Sequence, residues 1–290
     1  MQKKLDRKYF LFMLPAILMV VGLRFFPIGN AFRMAFFNWN GYSPNMKFIG
    51  FDNFIKALDD EYFWIALRNT LIYAFGITIV KNVLGLALAF FVDQKFHGRA
   101  AIRATIYLPV MISGFIMGQI MYYFYQYDGG ILNEILSWFN IEPVYWMKTG
   151  LSSTFVVLLT TSFLHCGSTM LLYLAGLQNI PHELLESARL DGASSWKEKL
   201  HITIPLLQPS MITSVVLNLI ASFKIYDIIS SLSKGGPDGG STSLTLYISQ
   251  QYFNYNKAGY AAGIAMWFFF VIIIISVPIN KWLSSKKVEY

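Results

Sequence analysis

Apolar residues gather in six windows of this chain, at 9–26, 67–92, 106–125, 152–178, 209–232 and 259–283, each close to the ~20 residues a helix needs to cross a bilayer. The polar stretch between the fourth and fifth windows has a helical period of its own. Pro181 suits a first helical turn, where its missing N–H costs little, and Glu183 follows near the positive end of the helix dipole. Leu184, Leu185 and Ala188 then share one face, with Glu183, Glu186 and Arg189 away from it. Gly192 supplies a left-handed turn to end that helix. Ser195 and Glu198 have capping-box spacing for a second short helix, which Pro205 closes. The pattern predicts an all-α integral membrane protein, a single membrane domain over residues 1–290. Six transmembrane helices and a two-helix insert at 179–208, between spans four and five, make up that domain.

Composition and charge narrow the picture. With 55% hydrophobic and 13% charged residues, the chain is too apolar for a soluble domain of 290 residues. The first window lacks a small-residue cleavage site and runs into Arg24 and Pro27, so it is expected to remain as an anchoring span. If both termini lie inside, thirteen Lys and Arg residues fall on the inner side and seven on the outer. That bias predicts cytoplasmic termini and a cytoplasmic insert. The net charge of +7 then needs no nucleic-acid partner. The lone Cys166 excludes an internal disulfide, and His97, His165, His182 and His201 are too dispersed for a metal motif. In the GGPDGG run at 235–240 no Lys follows the last glycine, so it is not a phosphate loop, and no ATP site is visible.

The insert resembles the EAA loop of ABC importer permeases of the carbohydrate-uptake type, related to the maltose and glycerol-phosphate systems. Glu186, Ala188, Asp191, Gly192, Ala193, Trp196, Ile202, Pro205 and Pro209 stand at that family's positions. Ser187 departs from the EAA triplet, and Lys199 stands where an aromatic is usual. The similarity extends to Asn69, Thr70, residues 85–89, Arg103, Leu108, Pro109, Gly130 and Asn133. It continues through Gly235, Gly236, Pro237, Thr242, Tyr247, Phe253, Gly259 and Tyr260. Residues 10–54 resemble the first permease of a two-permease pair. The resemblance implies a multi-pass protein of the bacterial cytoplasmic membrane working by alternating access. It also implies four kinds of partner: a second homologous permease, two ATP-binding subunits, an extracytoplasmic solute-binding protein and a sugar substrate, within membrane lipid. The chain itself would be no enzyme and bind no cofactor, with ATP and magnesium held by the partner subunits. Glu183, Glu186, Ala188, Asp191, Gly192, Ala193 and Trp196 are the coupling residues it implies, on a helix that fits a cleft of the ATPase and transmits its closure.

Polar residues inside spans are costly in hydrocarbon and face a cavity or a partner helix. In the fifth window Ser214, Asn218, Ala221, Ser222 and Ile225 recur at spacings of three and four. By the resemblance, register from the Gly235-Gly236-Pro237 motif lays sugar contacts on Asn218, Ala221, Ser222 and Ile225, and register from Gly176-Leu177-Gln178 adds His165 and Ser168. Plain interhelical hydrogen bonding is an equal alternative for Asn and Ser. Lys224 and Asp227, three apart on one predicted helix, can pair with each other or face the pathway. Lys81 lies inside the second window without a helical neighbour of opposite sign, where the family is apolar, and can meet Asp227, a polar cavity or a partner chain. Gly114 with Gly118, and Gly259 with Gly263, predict close helix contacts, to this chain or to a partner. A membrane enzyme would need a catalytic dyad, and a secondary transporter intramembrane carboxylates or an inverted repeat; neither is evident. Within the family, a glycerol-phosphate or polyol permease stays open beside a sugar permease.

Overall fold

The computed structural model describes residues 12–285, and its regular structure is helical apart from one two-stranded ribbon. The expectations for residues 1–11 and 286–290, including the start of the first span and the basic terminal residues, lie outside the described residues. In chain order the helices are α1 (Phe12–Met34), α2 (Asp52–Leu58), α3 (Glu61–Asp93), α4 (Arg99–Met111), α5 (Gly114–Tyr125) and α6 (Ile131–Ser137). They continue with α7 (Gly150–Gln178), α8 (His182–Leu190), α9 (Ser195–Leu206), α10 (Gln208–Phe223), α11 (Asp227–Leu232), α12 (Leu244–Ser249) and α13 (Ala258–Ser284). Strands β1 (Phe37–Asn38) and β2 (Lys47–Phe48) pair antiparallel. Helices α1, α3, α7 and α13 are long and apolar enough to span a membrane, and two bent pairs bring the candidates to as many as six.

Prolines explain most differences from the predicted windows. The third window is not one straight span: α4 and α5 meet at 99°, with Ile112 and Ser113 extended between them. Pro109 cannot donate to the carbonyl four residues back, and the last turn of α4 tightens to a 3₁₀ form. Pro27 does not end the first span, nor does Pro205 close the second helix of the insert. In each case the helix widens to a π-type turn just before the proline, with Phe26 N–H on the Val21 carbonyl and Ile204 N–H on the Lys199 carbonyl. The chain then bends by 65° at Leu207, between α9 and α10.

The fifth window is also broken. Helix α10 stops at Phe223, and Lys224 to Tyr226 leave helical geometry before α11 begins at Asp227. Lys224 and Asp227 therefore do not share a helix, and the pairing expected of them is not formed; the ion pair among the described residues is Arg189–Glu198. The Ile225 carbonyl, released by the break, accepts the Ser243 hydroxyl at 2.9 Å. Irregular backbone at membrane depth is tolerated where protein or a cavity meets its polar groups.

The chain divides into two compact units. The first is Met1–Phe63 with Tyr247–Phe269. Within it Ala35, Ala262 and Met266 form a core, and Asn53 Nδ2 donates to the carbonyls of Ala35 and Phe37 at 2.9 and 3.0 Å. Gly259 lies against the Phe37 carbonyl, where a Cβ would overlap it. Asp60 accepts hydrogen bonds from the hydroxyls of Tyr247 and Tyr260.

The second unit, Trp64–Leu246 with Phe270–Tyr290, carries both candidate sites. Its largest core joins Tyr73 and Ile77 of α3, Val157 and Leu164 of α7, and Ile228, Ile229 and Leu232 of α11. Gly118 of α5 faces Ser231 of α11 so closely that a Cβ would overlap the serine hydroxyl, so this glycine pair serves a contact inside the chain. A polar seam ties α3, α7 and α10. Asn82 Oδ1 accepts the Tyr173 hydroxyl at 2.6 Å and the Ser214 hydroxyl at 2.8 Å, while Asn218 Nδ2 donates to Thr169 Oγ1 at 2.9 Å. The GGPDGG loop is pinned by α3: Asn69 Nδ2 donates to the Gly240 carbonyl at 2.7 Å, and the Tyr73 hydroxyl to that of Ser241 at 2.8 Å.

Candidate functional sites

The insert forms a helical hairpin fixed by one ion pair. Helix α8 follows Pro181 directly, with Glu183 in its first turn and Arg189 in its last, each at the dipole end that favours its charge. Gly192 turns the chain at φ +82°, and the N–H groups of Asp191, Gly192 and Ala193 return to the carbonyls of Ser187, Arg189 and Ala188. The cap of α9 lies one residue before the expected position. Ser194 accepts from the Lys197 N–H, which frees Glu198 from the predicted capping box. Glu198 instead takes both ends of the Arg189 guanidinium, Nε to Oε2 at 2.7 Å and Nη2 to Oε1 at 3.1 Å. This hydrogen-bonded pairing holds the Glu198 carboxyl below its usual range and pushes the Arg189 guanidinium up. Ala188 is buried, whereas Leu190 is 89% and Trp196 72% exposed, with Leu184 and Leu200 about half exposed. These are large apolar side chains left in the open on an otherwise charged hairpin. Glu183, Glu186, Asp191 and Gly192 are also exposed, and Ala193 is half-buried.

The second site is a cavity of about 230 Å³ in the second unit, formed where the fifth window breaks. Lys81 and Ile77 of α3, Gly114 of α5 and Thr161 and His165 of α7 supply one part of its lining. Ala221, Ser222, Lys224, Ile225, Tyr226, Asp227 and Ile228 supply the rest. Gly114 makes room for it, since a Cβ there would stand 3.2 Å from that of Asp227. His165 Nδ1 lies 3.2 Å from the Thr161 carbonyl. A carbonyl only accepts, so that bond puts the proton on Nδ1 and leaves Nε2 as the ring's open position. Of the pathway residues expected from sequence, His165, Ala221, Ser222, Lys224, Ile225 and Asp227 come together here. Asn218 and Ser168 do not line it: Asn218 is buried in the polar seam, and the Ser168 hydroxyl bonds the His165 carbonyl at 2.8 Å. Thr161, Tyr226 and Ile77 line the cavity without having been singled out; only a prediction of the break at 224–226 would have pointed to Tyr226.

Residues 81–285 match the family described as the inner membrane component of binding-protein-dependent transport systems. The chain belongs to this family. The matched span takes in the broken fifth window, the hairpin and every residue of the cavity lining except Ile77. As such a transport subunit it is a multi-pass membrane permease of the ABC type, which sets aside a secondary transporter or a membrane enzyme. It is similar to the trehalose/maltose transport system permease protein MalF of Thermococcus litoralis, with 30% identity over 94% of this chain and 92% of that one. It is similar also to the arabinooligosaccharides transport system permease protein AraP of Bacillus subtilis, with 32% identity over 97% of this chain and 90% of that one. Among solved structures, a bacterial ABC transporter involved in import of the acidic polysaccharide alginate contains a chain of the same fold. There the TM-score is 0.86 at 23% identity, covering 99% of both chains.

Proposed function

We propose that this permease carries a sugar or oligosaccharide inward, as the first permease of a heterodimeric, ATP-driven importer. The α8–α9 hairpin carries the reading: it leaves Leu190 and Trp196 exposed on an element too polar to enter lipid. An ATPase cleft is the occupant that fits, which makes this side cytoplasmic, in agreement with the bias of basic residues. ATP and magnesium belong to two partner ATPase subunits, and this chain holds no cofactor of its own. The named relatives that transport trehalose, maltose and arabinooligosaccharides support a sugar as cargo, whereas nothing favours a glycerol phosphate or polyol. A structural neighbour is described in complex with a pentasaccharide-bound periplasmic protein, which supports delivery by a soluble binding protein here too.

The cavity is the sugar's path through this half of the pair. At about 230 Å³ it is smaller than the ~300–1,000 Å³ of ordinary ligand pockets, as suits a site completed by the second permease. Closure of the ATPases rocks the hairpin and turns the cavity outward to receive sugar. Ser222→Trp tests this, because it fills the cavity from a buried position on its wall. Uptake of the importer's sugar into proteoliposomes should fall at least tenfold while both permeases and the ATPases still copurify. Normal uptake by this variant would place the path elsewhere.

A further inference from the structure

Lys81 is 7% exposed, lies well inside α3, and its ammonium has no hydrogen bond or ion pair among the described residues. An ammonium inside a span without a protein partner is costly, and it is held where it can reach a cavity. Here it lines the cavity. The charged groups facing the same space are Lys224 and Asp227, and they are not paired either, so the lining carries two cations against one carboxylate. The buried Ser222 hydroxyl also lines the cavity and has no protein partner among the described residues. A lining of this kind is short of one negative charge and of hydrogen-bond acceptors.

We infer that Lys81 binds a carboxylate of the transported sugar, so that the cargo is an acidic saccharide bearing uronate groups. The inference rests on the sugar-importer reading above and adds its substrate class. A carboxylate suits the site better than a phosphate. A lysine ammonium acts as a point charge. With Asp227 set against Lys81 and Lys224 the lining has a surplus of one positive charge, which matches a monoanion, and it has no arginine to grip a dianion at two points. Ser222 and the open His165 nitrogen are left for hydroxyls of the same sugar ring.

The test uses the complete importer, both permeases with ATPases and binding protein, in proteoliposomes. Trigalacturonate and triglucuronate are compared with their methyl esters, which keep the shape and lose the charge, and with maltotriose as a neutral sugar. One acid should be transported roughly tenfold or more better than its ester, the scale of one hydrogen bond to a charged group. Lys81→Met should abolish that preference and Lys81→Arg keep it. If the ester or maltotriose moves as well as the acids, the inference falls while the sugar-importer reading stands. If no saccharide is transported or stimulates ATP hydrolysis, both fall. Should Lys81→Met fail to assemble with the second permease, Lys81→Arg and the wild type decide: an acid preference kept by both supports the inference, and its absence from the wild type or its loss in assembled Lys81→Arg overturns it.

Discussion

Gly192 does at one position what no other residue does without strain. Its φ of +82° lies in the left-handed region, and a Cβ there would meet nothing within 4 Å, so the constraint is conformational rather than steric. Gly192→Ala should therefore cost about 1 kcal/mol at the hairpin turn. Substrate-stimulated ATP hydrolysis should fall several-fold with the amount of permease in the membrane unchanged; parallel loss of both would assign the glycine to folding. Asn82 is the corresponding residue within the bundle. Asn82→Leu removes the acceptor of the Tyr173 and Ser214 hydroxyls. Leaving the buried Tyr173 hydroxyl unsatisfied alone costs about 1–3 kcal/mol, so thermal denaturation of the detergent-solubilised permease should shift downward by several degrees. The turn glycine was legible as a single letter, whereas Glu198 read as a capping residue and its pairing with Arg189 was not foreseen. The role of Asn82 was not legible either, because its partners come from helices about 90 and 130 positions away, and no local pattern announces such a bond.

The hairpin acts as one element because Arg189 spans from α8 to Glu198 of α9. Glu198→Arg should separate the two helices and reduce coupling about tenfold, and the exchange Arg189→Glu with Glu198→Arg should restore most of it. Restoration that fails would mean that position, not charge, matters. The Glu198 carboxyl is held below its usual range, so the pair's contribution is fully present above the ordinary carboxylate range and is lost only as pH falls through the lowered value. Coupling should accordingly show no transition from this pair between pH 6 and 8. Hydropathy revealed six apolar windows but not where the backbone breaks within them, since apolar windows record composition and not continuity. The prolines at 27, 109 and 205 were visible, yet a proline in a helix can bend it, tighten it or widen the turn before it, and packing decides which. The break at 224–226 had no proline or glycine to mark it. It shows only where the loop serine Ser243 meets the carbonyl of Ile225.

At the scale of the molecule, the family read from the sequence is the one the chain belongs to, and the partners it implies belong to the proposed function. No residue in the apolar stretch of α1 is buried within the chain, as befits a span that faces lipid or another protein. Purified alone, the chain should neither bind nor hydrolyse ATP. Expressed with its partners, it should copurify with one other permease and two ATPase copies, as counted by native mass spectrometry, and a functional homodimer with ATPases would contradict the heterodimer. The central claim is that the α8–α9 hairpin joins this permease to its motor. Its most direct measurement is ATP hydrolysis by the purified complex, with and without sugar-loaded binding protein, for the wild type and for Leu190→Asp/Trp196→Asp. The account predicts stimulated hydrolysis in the wild type, and a doubly substituted permease that still copurifies with the second permease but has lost the ATPases or their stimulation. Undiminished, stimulated hydrolysis in the double variant would contradict it.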